Sequence, residues 1–294
     1  MDKNKWLAEK FEENRGRMRA VAYRMLGSLS EADDAVQEAW IRLSRSGEDN
    51  IENLGGWLTT VVSRVCLDML RSRKSRGEEP IDEQVSAPLA TGGPASDPEQ
   101  EALLADSVGL ALLVVLGRLN PAERVAFVLH DMFAVPFEEI GPIVGRTPSA
   151  ARQLASRARR RVQGAPTAQA GNITEQLRVA DAFLAALRAG DIEGLISVLD
   201  PGVVVHVGEG AGRPGAPREI RGAQNWARGA VAFAAVARSL QPALVDGSVG
   251  LVWAPQGRLM RALTFTLKGG RIAEAEIIAD PARLRELDLA VPGL

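Results

Sequence analysis

Between Gly77 and Pro98 the chain carries Pro80, Pro88, Pro94, Pro98 and the pair Gly92-Gly93, with no helical or strand periodicity among them. Proline removes a backbone donor and glycine adds backbone entropy, so no single hydrophobic core runs through such a stretch. A shorter break lies from Gly164 to Gly171 around Pro166. These breaks predict three modules, at 1–76, 101–163 and 172–294, with residues 77–100 as a flexible linker.

Charge follows the same division. Residues 1–76 carry a net +2 and residues 107–164 a net +4, while residues 77–106 hold eight acids and no base. The last 130 residues are neutral. The overall charge of −2 therefore conceals two basic modules flanking an acidic segment, and local basic patches decide where phosphate binds. No apolar run reaches the roughly 20 residues of a membrane helix, and the start of the chain lacks an apolar signal core, so a cytoplasmic protein without membrane contact is expected. The single cysteine, Cys66, excludes an internal disulfide, and two distant histidines, His130 and His206, make a zinc site unfavourable. No metal and no cofactor are expected.

The first module reads as helices. Ala32, Val36, Ala39, Trp40 and Leu43 recur at helical spacing after Ser30, a candidate cap, and the other face carries Asp33, Asp34, Gln37 and Glu38. A loop over 46–56 ends in Gly55-Gly56, and a second helix runs from Trp57 to about Lys74 with a basic end. That end and Trp57 suit single-stranded DNA, where aromatics stack and cations follow phosphates, but equally a core tryptophan and a solvated helix end.

The second module reads as helices over 101–118, from Pro121 to about His130, after Pro136, and from Thr147-Pro148 to Val162. Gly145 between the last two gives the helix-turn-helix pattern. The final helix splits into a small apolar face (Ala151, Leu154, Ala155, Ala158, Val162) and a polar face (Ser149, Arg152, Gln153, Ser156, Arg160). Arginine reads guanine and glutamine reads adenine in the major groove, and Arg157, Arg159, Arg160 and Arg161 suit backbone phosphates. A solvated helix with cations at its C-terminus is the plainer alternative.

The third module has helices over 173–189 and 222–237, then strands. Leu263, Phe265 and Leu267 alternate with polar residues, Gly269-Gly270 makes a two-residue turn, and Ala273, Ala275 and Ile277 alternate with Glu274 and Glu276. An antiparallel sheet with helices on one side, an α+β domain, is expected. Trp226, Trp253 and Phe265 are read as core, and His206, after Val203-Val204-Val205, as a packed or pocket-lining residue rather than a catalyst.

The stretches VAYRMLGSLSEADDAVQEAWIRL and GWLTTVVSRVCLDMLRSRKSR resemble region 2 of the extracytoplasmic-function (group 4) sigma factors, and LNPAERVAFVLHDMFAVPFEEIGPIVGRTPSAARQLASRARRRV resembles their region 4. The remainder is similar to the SnoaL-like, NTF2-like extension of the ECF41-type subfamily. The resemblance implies a multidomain chain: two all-α domains, the second with a helix-turn-helix, and a C-terminal α+β domain that regulates them. It implies core RNA polymerase and promoter DNA as partners, intramolecular contact of the C-terminal domain with regions 2 and 4, and no enzymatic activity. It assigns Asp33, Asp34, Gln37, Glu38 and Trp40 to polymerase docking. It assigns Asn50, Asn53, Trp57, Thr60, Arg64, Arg71, Arg73 and Lys74 to the −10 element. It assigns Thr147, Ser149, Arg152, Gln153, Ser156, Arg157 and Arg160 to the −35 element. Two linker and extension motifs of the subfamily are replaced here by Glu78-Glu79-Pro80-Ile81-Asp82 and by Gly208–Arg213. A helix-turn-helix regulator that is not a sigma factor, and a SnoaL-like enzyme with a DNA-binding appendage, stay open on residues alone.

Overall fold

The computed structural model describes residues 3–46, 53–76, 109–164, 170–212 and 218–292. The expected linker over 77–100 lies outside the described residues, as does Asn50. The chain divides into two compact units, residues up to 108 together with 116–159, and residues 109–115 together with 160–294.

The first unit begins with three helices, α1 (Lys3–Leu26), α2 (Leu29–Ser46) and α3 (Leu54–Arg76). The apolar stripe of α2, Ala32, Val36, Ala39 and Leu43, is fully buried. Its start differs from the sequence expectation: the Ser28 hydroxyl, not Ser30, accepts from the Glu31 N–H at 3.5 Å. Helix α3 also starts earlier than expected. Asn53 Oδ1 accepts from the Gly56 N–H at 3.0 Å, so Gly55 and Gly56 lie inside the first turn instead of ending a loop. A capping side chain outweighs the low helix propensity of two glycines where the first-turn donors need partners anyway.

Helices α4 (Leu110–Arg118), α5 (Pro121–Phe127), α6 (Phe137–Val144) and α7 (Pro148–Gln163) follow. Asn120 caps α5, accepting from the Ala122 N–H at 3.2 Å with Pro121 at the first position. The helix expected up to His130 instead gives way at Val128 to a wider π turn through Met132. Helix α3 packs against α5 and α6, so the segments on either side of residues 77–108 share one core in this unit. Helices α4 and α7 each run from one unit into the other.

In the second unit, α8 (Ala170–Ala189), α9 (Ile192–Val198), α10 (Ala223–Val231) and α11 (Ala234–Ala237) accompany a seven-stranded sheet, with α12 (Pro281–Glu286) near the end. The strands are β1 (Leu199–Val207), β2 (Glu219–Arg221), β3 (Leu240–Val245), β4 (Ser248–Trp253), β5 (Arg261–Lys268), β6 (Arg271–Ile278) and β7 (Leu289–Ala290), in the order β2-β1-β6-β5-β4-β3-β7. The β5–β6 hairpin turns on Gly269 and Gly270, both at positive φ (58° and 73°), the geometry a two-residue turn of this kind requires. The sheet is mixed rather than purely antiparallel, because β1 pairs parallel with β6. That parallel pair is long-range and invisible to local alternation. The expected helix over 222–237 is broken after Val231. The core of this α+β domain is largely aliphatic, with three aromatic rings packed together inside it: Phe183 lies 5.2 Å from Trp226 and 5.5 Å from Phe265 between ring centroids.

Candidate nucleic-acid and polymerase interfaces

On α2, Asp33, Asp34 and Gln37 are exposed and Glu38 is half-buried. Two of the acids are engaged on the surface: Asp33 with Arg19 at 2.8 Å and Glu38 with Arg42 at 2.9 Å. Such exposed pairs contribute little, about 0–1 kcal/mol, so they yield to a stronger basic partner. Trp40 is half-buried, edge-on to Phe11 at 5.0 Å, which fixes the ring beside the acidic face.

On α3, Trp57 and Thr60 are half-buried, and Arg64, Arg71 and Lys74 are exposed. Their spacing of three, four, seven and three residues keeps them along one side of the helix. Arg73 lies about 200° round from Arg71 and turns inward. It forms an ion pair with Glu31 and donates to the Leu26 carbonyl at 3.5 Å. The structure thus separates Arg73 from the other cations of the −10 set. Asn53 spends its side-chain oxygen on the helix cap.

The turn between α6 and α7 is built by three residues. Gly145 ends α6 in the left-handed region (φ 69°, ψ 41°). Gly141 permits the close approach of the next segment, since a Cβ there would sit 2.8 Å from the Arg146 carbonyl oxygen. Thr147 Oγ1 accepts from the Ala150 N–H at 3.2 Å and starts α7. Ala151, Ala155, Ala158 and Val162 are buried, while Ser149, Arg152, Gln153, Ser156, Arg157 and Arg160 are exposed along the opposite side. The Arg152 guanidinium lies 5.2 Å from the centre of the Phe137 ring, which limits its swing. Arg157 pairs with Glu123 at 3.2 Å, and Arg159 with Asp131 at 2.5 Å. Arg159, like Arg157, therefore carries an ion pair within the helical module.

Sequence reasoning missed Arg124. It reads as a surface cation on α5, yet it is only 5 % exposed and its Nε has no hydrogen-bond partner among the described residues. Burial, with Arg73 nearby, pushes its guanidinium down to about 9, against a smaller opposing effect of Cys66. Cys66 itself is buried and its thiol is pushed up to about 12 by burial. Arg24, lowered chiefly by burial, stands 5.2 Å from the centre of the Phe133 ring. Arg73 of α3 and Arg124 of α5 therefore lie close together where the two halves of the first unit pack. The one sequence signal for this was the apolar surround, Val125-Ala126-Phe127-Val128-Leu129, which leaves a neighbouring Arg little solvent.

In the second unit His206 is exposed on β1, opposite Glu219 and Glu276 of the flanking strands, so it lines no interior, contrary to the packed or pocket-lining expectation. Trp226 and Phe265 are core as expected, but Trp253 is half-buried, with Arg261 5.8 Å from its ring centre. Among the described residues no cluster of three His, Cys, Asp or Glu side chains could hold a metal ion, and no helix is long and apolar enough to cross a membrane.

Residues 11–76 match the family Sigma-70 region 2, and residues 109–162 match Sigma-70, region 4. The chain is 37 % identical over 284 residues to the ECF RNA polymerase sigma factor SigJ of Mycobacterium tuberculosis, covering 92 % of this chain and 91 % of that protein. It is 35 % identical over 280 residues to the probable ECF RNA polymerase sigma factor SigI of the same species, covering 93 % of each. The crystal structure of the M. tuberculosis SigJ aligns over 93 % of this chain and 96 % of that one, with 36 % identity and a TM-score of 0.46.

Proposed function

The chain belongs to the extracytoplasmic-function RNA polymerase sigma factors, and we propose that it directs core RNA polymerase to promoters through a division of labour among its three modules. Residues 1–76 dock on the polymerase through Asp33, Asp34, Gln37, Glu38 and Trp40, and engage the −10 element through the exposed side of α3. Residues 101–163 read the −35 element through α7. Residues 172–294 regulate the other two. The observation that carries the reading is the two-faced helix α7, set on the turn at Gly145 and presenting Arg152, Gln153 and Ser156 to solvent. Arginine and glutamine at the front of such a helix make the bidentate contacts that discriminate bases, while cations further along position the backbone.

A regulatory rather than catalytic role for residues 172–294 is supported by the packed core around Phe183 and by the exposure of His206, the domain's one histidine. Its coupling to the reader is supported by two bonds inside the second unit. The Val291 N–H donates to the Val162 carbonyl at 2.8 Å, and the Ala111 N–H to Gln241 Oε1 at 3.3 Å. The last turn of α7 and the first of α4 are thereby tied to the sheet. We place the working protein in the cytoplasm, where polymerase and promoter are found. The test is run-off transcription with core polymerase, comparing the full chain with residues 1–163. Promoter-dependent transcripts from both, at different levels, fit the reading. Equal output would remove the regulatory role, and no transcript from either would remove the sigma reading.

A further inference from the structure

Within the first unit, the exposed side of α3 and the turn before α7 line one cleft of about 580 Å³. Arg71 and Lys74 come from α3; Asn120, Glu123, Arg146 and Arg157 come from the helix-turn-helix module. Four cations thus share one concavity with a single carboxylate, and that carboxylate, Glu123, is already paired with Arg157. Arg71 and Lys74 have no ion-pair partner among the described residues, and Arg146 donates only to the carbonyl of Gly145, at 3.3 Å. Asn120 spends its oxygen on the α5 cap, which leaves its amide N–H groups as further donors.

We propose that this cleft binds a small oligophosphate anion, which clasps the two sigma regions together. Like charges gathered in a concavity repel one another and raise the local potential, and both effects are relieved by a multivalent anion. Arginine forks match phosphate oxygens two at a time, and lysine adds a mobile point charge. The volume is that of a small-molecule site. A ligand held by α3 on one wall and by Arg146 and Arg157 on the other favours the packed arrangement of the first unit by mass action. For its consequence the proposal rests on the DNA-contact reading above: Arg71, Lys74 and Arg157 are occupied while the anion is bound, so the anion opposes promoter binding.

Isothermal titration of the full chain with sodium tripolyphosphate at matched ionic strength tests this. Saturable binding at one site per chain is expected, weakened at least tenfold in Arg146→Ala and in Lys74→Ala, with circular dichroism reporting that each variant is folded. If one variant does not fold, the other carries the test. Arg152→Ala, outside the cleft, should keep full tripolyphosphate affinity while losing affinity for a −35 duplex. Absence of saturable binding, or equal weakening by Arg152→Ala, overturns the cleft. Binding that emerges only after Glu78, Glu79, Asp82 and Glu83 are changed to Gln would mean that the chain's own acidic segment is the occupant, and overturns the free-anion proposal. If Arg152→Ala leaves duplex binding intact while the cleft results hold, the DNA assignment fails and the anion site stands.

Discussion

Arg124 of α5 is buried beside the half-buried Arg73 of α3, so two like charges from different sigma regions lie close together. Glu31 neutralises Arg73, but Arg124 Nε has no hydrogen-bond partner among the described residues. The packing of α5 against α3 therefore carries an electrostatic cost. Arg124→Met should raise the stability of the full chain to chemical unfolding by about 1–2 kcal/mol, as when a buried charge is replaced by an apolar group of similar length. It should also slow assembly with core polymerase, measured by stopped-flow. Destabilisation of the variant would show that Arg124 is satisfied in solution.

Cys66 lies in the same interior. Its folded thiol is raised to about 12 from an ordinary value of 9.0, so the folded state retains the proton that the unfolded state releases. The stabilising contribution is full below pH 9 and is lost progressively as pH rises from about 9 toward 12. Arg124, lowered by its surroundings, acts in the opposite direction over that range. In Arg124→Met the thiol acts without that opposition, and stability should fall more steeply above pH 9 than in the parent chain. Alkylation of Cys66 at pH 8 should be slow until denaturant is added, and rapid alkylation of the native chain would contradict the buried thiol.

The proposed polymerase-docking face of α2 yields a separate expectation. Asp34 is exposed without an ion-pair partner among the described residues, and Glu38 is held only by a surface pair with Arg42. Asp34→Lys with Glu38→Lys should abolish co-purification with core polymerase and leave the circular dichroism spectrum unchanged. Retained co-purification would move the docking face elsewhere.

On α7 the proposed roles differ by position. Arg152→Ala should cost about 1–3 kcal/mol at the −35 element and relax preference at one base pair, the outcome expected of the proposed base contact. Arg160→Ala should weaken all duplexes alike and lower the salt dependence of binding. A promoter-library selection reads both, and unchanged base preference in Arg152→Ala would refute the assigned face.

These outcomes also mark what the residues disclosed unaided. The helix-turn-helix was legible because Gly145, Thr147-Pro148 and the split between Ala151/Ala155/Ala158 and Arg152/Gln153/Ser156 are local signals that agree. The β5–β6 hairpin was legible for the same reason, in Gly269-Gly270. Burial of Arg124 was not, since it depends on helices whose packing residues, such as Cys66 and Arg124, lie 58 positions apart. The inward turn of Arg73 follows from helical phase, but only once α2 supplies Glu31. The start of α3 was missed because two glycines read as loop until Asn53 is seen to cap them. The parallel β1–β6 pair leaves no mark in alternation, which specifies faces and not neighbours.

The central claim, that this chain confers promoter-dependent initiation, is tested most directly by adding the full-length protein to bare core RNA polymerase on a library of linear templates. The account predicts discrete run-off transcripts from templates sharing two spaced elements, with start sites that move when those elements are moved. If core polymerase that is active on tailed templates yields no start dependent on the added chain, the sigma-factor account is contradicted.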